Sequence, residues 1–127
     1  MTTQAIVDIY KASTPIFEGI LSEVRELSRK KPEATMSASK VKLVNRVLVD
    51  LLVVLKSEPA GKYLDELDED ALPQMSDAVL NMVQFEKALD AFKGKYLQYF
   101  SDRSQNYWLT EELQEAWAQP DDEDEVE

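Results

Sequence analysis

Cysteine and histidine are both missing from this 127-residue chain. Their absence removes the Ser-His-Asp and Cys-His catalytic arrangements, thiol redox centres, disulfides and the common zinc sites. The Glu-x-x-His pattern of four-helix di-iron proteins is excluded as well. No cofactor is expected. Glycine and proline are scarce, at 3 and 5 residues, while 44% of the chain is hydrophobic. That balance describes a folded helical domain rather than a disordered chain or a turn-rich β-sandwich.

Long apolar runs are lacking too. The longest candidate, Val41 to Leu55, is interrupted by Lys42, Asn45, Arg46 and Asp50. Each charge near the centre of a spanning helix costs about 2.5 to 3.5 kcal/mol, so the segment reads as a core helix and no membrane association is expected. The N-terminal residues offer neither a basic region nor an apolar one, and secretion by a cleaved signal is not expected. A cytoplasmic location is the expectation, with which the lack of cysteine is compatible.

Turning each residue through 100°, Ile16, Phe17, Ile20, Leu21, Val24 and Leu27 share one apolar arc, and Ile6, Ile9 and Tyr10 continue it backwards across Pro15. The common phase favours one helix from about Thr3 to Lys30, kinked where Pro15 lacks its bond to the Lys11 carbonyl. Two helices, with Thr14 as cap and Pro15 in the first turn, are the rival reading. Ser37 or Ser39 can cap a second helix reaching about Lys56. Apolar residues cover half its circumference, which suits a helix with neighbours on more than one side. Its polar stripe of Lys42, Asn45, Arg46, Asp50 and Lys56 is interrupted by Val49 and Val53, which are expected to be covered by a further element or by a subunit interface.

Glu58 to Gly61 ends that helix, and Lys62 to Leu67 fits a single amphipathic turn. A third helix is expected from a Ser76 cap to about Ser101, with Met82, Phe85, Leu89, Phe92, Tyr96 and Phe100 as its stripe. After a break at Asp102 to Asn106, Thr110 can cap a short helix. The fold expected is therefore an all-α, antiparallel helical bundle of three long helices plus a short C-terminal helix. It occupies residues 1–119 as a single domain, and residues 120–127 form a disordered acidic tail.

Acids outnumber bases 25 to 14, for a net charge of −11, yet the charge is uneven. Arg25, Arg29, Lys30, Lys31, Lys40, Lys42 and Arg46 meet only Glu26 and Glu33 in their stretch, whereas Glu58 to Asp90 holds nine acids against Lys62 and Lys87. A helical hairpin would gather the basic residues near one end, where they could bind phosphates. Two features weigh against nucleic acid: the pI is near 4.4, and no aromatic residue lies between Phe17 and Tyr63 to stack on bases.

The acidic run Asp65, Glu66, Asp68, Glu69 and Asp70 does not fit a calcium loop, because the sixth and twelfth positions counted from Asp68 are Pro73 and Val79. Glu23 and Glu26 supply half of a helical magnesium site, but the second helix offers Asp50 alone to face them. Phe85, Phe92, Tyr96 and Phe100 are explained by core packing. Tyr107, Trp108, Leu109, Leu113 and Trp117 are less easily explained, since a short terminal helix rarely needs two Trp. They fit either docking on a partner or folding back onto their own bundle. The tail's six carboxylates have three uses open to them: solubility, shielding of the chain's own basic end, or a basic partner.

The function expected is a non-catalytic protein–protein interaction module, such as an adaptor, an assembly factor or a small helical subunit of a larger complex. Its partner is another protein or a second copy as a homodimer, and Val49, Val53, Tyr107, Trp108, Leu109, Leu113 and Trp117 are its candidate contacts. The first alternative is a phosphate-backbone-binding subunit of a nucleoprotein complex, using Arg25, Arg29, Lys30, Lys31, Lys40, Lys42 and Arg46. The second is a magnesium-dependent hydrolase built on carboxylates.

Overall fold

The structure is a computed structural model and describes residues 2–118; the acidic tail of residues 120–127 lies outside the described residues. The first helix, α1 (Gln4–Lys30), is continuous through Pro15. Thr3 caps it by accepting the Ile6 N–H at 3.3 Å, and Arg29 and Lys30 sit at its electronegative end. Its phase, not its proline, decides the outcome: Tyr10, Ser13, Phe17, Leu21 and Val24 form one buried stripe across the imperfection. The neighbouring Thr14 hydroxyl is buried without a hydrogen-bond partner among the described residues.

Helix α2 (Ala38–Leu55) starts at Ser37, whose hydroxyl accepts the Lys40 N–H, and packs antiparallel on α1. Helix α3 (Met75–Tyr96) packs chiefly on α1 and more lightly on α2. The core between them holds Phe17, Leu21, Leu48, Leu51, Leu55, Met82, Phe85 and Phe92, all nearly inaccessible. Because α3 also runs antiparallel to α1, the chain must return the full length of α2 between Leu55 and Met75. It does so as a short 3-10 turn, Pro59–Tyr63, followed by extended chain. The expected turn at Lys62 to Leu67 is thus displaced towards Pro59. Leu64 and Leu67 are buried from the extended segment instead, while Tyr63 points out. Gly61 is required here, because a Cβ at that position would collide with the Leu55 carbonyl.

Asn45 is a second departure. It is buried rather than part of the solvent stripe, and its amide both donates to the Leu67 carbonyl and accepts the Leu67 N–H, each at 2.8 Å. At the far end the segment is pinned by Met36 N–H to the Pro73 carbonyl and by Met75 N–H to the Ala34 carbonyl, both 2.8 Å.

The fold is mostly helical, but the expectation of an all-α chain is corrected at one place. The third helix does not reach Ser101. It stops at Tyr96, and Leu97–Phe100 forms a strand, β1, paired antiparallel with β2 (Gln105–Trp108). The Gln98 side chain turns back to donate to the last-turn carbonyls of Gly94 and Lys95, which ends the helix cleanly. Ser104, at φ 56°, occupies the left-handed position of the connecting turn. The short helix α4 (Glu111–Ala118) follows, as expected.

Candidate functional site

The expected contacts separate into two environments. Val49 and Val53 are 44% and 46% exposed on the outer edge of α2, so no further element among the described residues covers them. The C-terminal group is largely occupied by its own fold. Trp108 stacks 5.1 Å from the Tyr10 ring and 6.0 Å from Phe92, and Leu109 packs on the same core, its N–H donating to the Tyr96 carbonyl at 2.7 Å. Both are half-buried, Trp108 at the end of β2 and Leu109 just after it, where Leu109 also lines a shallow hollow with Leu113 and Trp117.

Helix α4 is tied down as well. Glu111 N–H donates to the Thr2 carbonyl at 2.9 Å, the Glu112 carboxylate accepts the Gln4 N–H at 2.9 Å, and Thr110 caps by accepting the Leu113 N–H. Tyr107 and Trp117 join Phe100 in an edge-to-face trio with centroids 5.1 to 5.6 Å apart, and Arg103 lies 4.4 Å from the Trp117 ring. Leu113 is half-buried, and Trp117 keeps 40% of its surface exposed at the rim.

Two of the seven basic residues are engaged in ion pairs. Arg25 reaches across to Glu86 on α3 at 3.1 Å, and Arg29 pairs with Glu26 on its own helix at 3.1 Å. Lys30, Lys31, Lys40, Lys42 and Arg46 are exposed. In the acidic run, the Asp68 carboxylate accepts the N–H groups of Asp70 and Ala71 at 2.8 and 3.0 Å. Those bonds, the Ala71 one foremost, hold its carboxyl below the usual range and make it the closure of a turn. Among the described residues no three acidic side chains gather as a metal site would require.

One polar hollow, of about 310 Å³, lies where α1 begins and α2 and α3 end. In its wall the Glu58 carboxylate accepts the Tyr96 hydroxyl at 2.8 Å and the Lys95 ammonium at 3.2 Å. Burial, and then the bond to Glu58, push the Tyr96 hydroxyl above its ordinary range. The Lys95 ammonium is likewise raised, by its hydrogen bonds to Tyr96 and Glu58. The arrangement fastens the 3-10 turn to α3.

The feature missed in the sequence is an open groove of about 500 Å³ along the side of α1 and α2 that α3 leaves bare. Pro15, Ile16, Gly19, Ile20, Val24 and Leu27 line it from α1, and Leu43 and Val44 from α2, with Glu23 and Lys40 as its charged residues. Ile16 and Leu43 are 59% and 47% exposed. Both belong to apolar arcs visible in the sequence, but a helical wheel does not say which edge of a wide arc the third helix will cover. Among the described residues no helix is long and apolar enough to cross a membrane. No protein family, curated protein or solved structure matches the chain.

Proposed function

We propose that the protein is a non-catalytic interaction module, an adaptor, assembly factor or small helical subunit, that docks a partner protein against the α1–α2 groove. The supporting observation is the groove itself: contiguous apolar side chains from two rigid helices, open to solvent, with a charged residue on each flank. Exposed apolar surface of this kind marks interaction sites, and an apolar helix face is its natural complement. Val49, Val53 and Trp117 are secondary contacts in this reading, and the lack of cysteine suits the cytoplasm as its compartment.

The test is a photo-crosslinking amino acid placed at Leu43 and irradiated in the native host. A discrete protein adduct that Ile16→Glu abolishes is expected, and the absence of any protein adduct would overturn the proposal. Phosphate-backbone binding is the second reading, favoured by the exposure of Lys30, Lys31, Lys40, Lys42 and Arg46. It requires binding to RNA or DNA that weakens steeply with salt and is lost on replacing those five by Ala.

A further inference from the structure

We infer that the occupant of the α1–α2 groove is a second copy of this chain, related by a two-fold axis running along the groove. The inference rests on the interaction reading above and adds the identity and orientation of the partner. A two-fold axis lying along the groove sets α1 of each copy on α2 of the other, antiparallel, and so completes a four-helix layer from two hairpins.

Charge favours this arrangement. Glu23 lies on the α1 flank of the groove and Lys40 on the α2 flank, and neither forms an ion pair within the chain among the described residues. The axis brings Glu23 of each copy to the Lys40 flank of the other, giving two complementary pairs. The rival isologous arrangement, with the axis across the helices, lays α1 on α1 and forms neither pair.

Shape points the same way. Gly19 stands on the exposed side of α1, and a Cβ there would meet nothing within 4 Å. Glycine in a helix interior costs about 1 kcal/mol relative to Ala, and nothing packed around it among the described residues requires it. A helix of the second copy can approach closely over that position. The footprint is small: the groove runs from Pro15 to Leu27, about 18 Å of α1, and two helices about 20 Å wide together bury on the order of 700 Å² across both copies. That lies below the area of stable interfaces, so the dimer should be weak and depend on concentration.

The experiment is sedimentation or light scattering of the full chain over a wide concentration range, followed by charge exchange between chains. The mass should rise towards that of a dimer, and Ile16→Glu should hold it at the monomer with an unchanged circular dichroism spectrum. Glu23→Lys alone and Lys40→Glu alone should each weaken dimerisation about tenfold. Mixing those two variants restores both pairs in the heterodimer and should recover the native affinity. A monomer at every concentration, a dimer indifferent to Ile16→Glu, or a mixture that is not rescued would each overturn the inference. If the chain stays monomeric while the crosslinker at Leu43 captures a different protein, self-association falls and the interaction reading stands; with no adduct at all, both fall.

Discussion

Asn45 carries more of the fold than any exposed charge around it. Its amide offers Leu67 one donor and one acceptor at 2.8 Å, as a neighbouring strand would, and so fastens the extended return segment to α2. Asn45→Ala leaves a buried N–H and a buried carbonyl without partners, and should cost about 2 to 4 kcal/mol in urea denaturation. An unchanged midpoint would mean that water replaces the amide at no cost. In the sequence Asn45 sits on a charged stripe and reads as solvent-facing; its role depends on a segment 22 positions away, which periodicity cannot see. Gly61 is similar in kind. Gly61→Ala drives a methyl group into the Leu55 carbonyl, so melting should fall by several degrees even though Ala is the better former of local helical turns.

At the scale of the element, Pro15 and the terminal hairpin show where sequence reading held and where it gave way. The apolar arc keeps its phase across Pro15, and α1 is indeed one helix, since tertiary packing of the whole stripe outweighs the lost hydrogen bond. Pro15→Ala should therefore stabilise the chain, by about 1 to 3 kcal/mol in chemical denaturation, and destabilisation would show that the proline shapes the groove wall. The end of α3 was not legible in the same way. Tyr96 and Phe100 are four apart, a step that returns to the same face in a helix and in a strand alike, so the spacing did not distinguish them. What decides the matter is pairing with Gln105–Trp108 and the fold-back of Gln98, both tertiary or local polar effects. Ser104 bears the turn's cost at φ 56°, and Ser104→Gly should raise stability by about 0.5 to 1 kcal/mol; a loss would mean that glycine's freedom in the unfolded chain dominates. The groove was half legible: its residues lie on recognised apolar arcs, but their exposure follows from α3 choosing the opposite side.

Over the whole molecule, the net charge of −11 and the lack of histidine leave tyrosine to shape the alkaline limit of stability. Tyr10 is raised by burial first and then by Glu18 and Asp90, and Tyr96 by burial and its bond to Glu58. A hydroxyl whose folded value lies above its unfolded one contributes stability that is whole below about pH 10 and is lost as pH rises through the folded value. Deprotonation of lysine in the same range adds to the negative self-repulsion and acts in the same direction, so the pH profile of the native chain alone does not isolate tyrosine. Tyr96→Phe does. At neutral pH the variant should be less stable by about 1 kcal/mol, having lost the bond to Glu58. Above pH 10 the gap should narrow, because the variant has no hydroxyl there to ionise. Thermal melts of both chains between pH 7 and 11 measure this directly. A gap that stays constant would show that the Tyr96 proton contributes a hydrogen bond but no pH dependence, and would leave the alkaline loss to Tyr10 and the lysines.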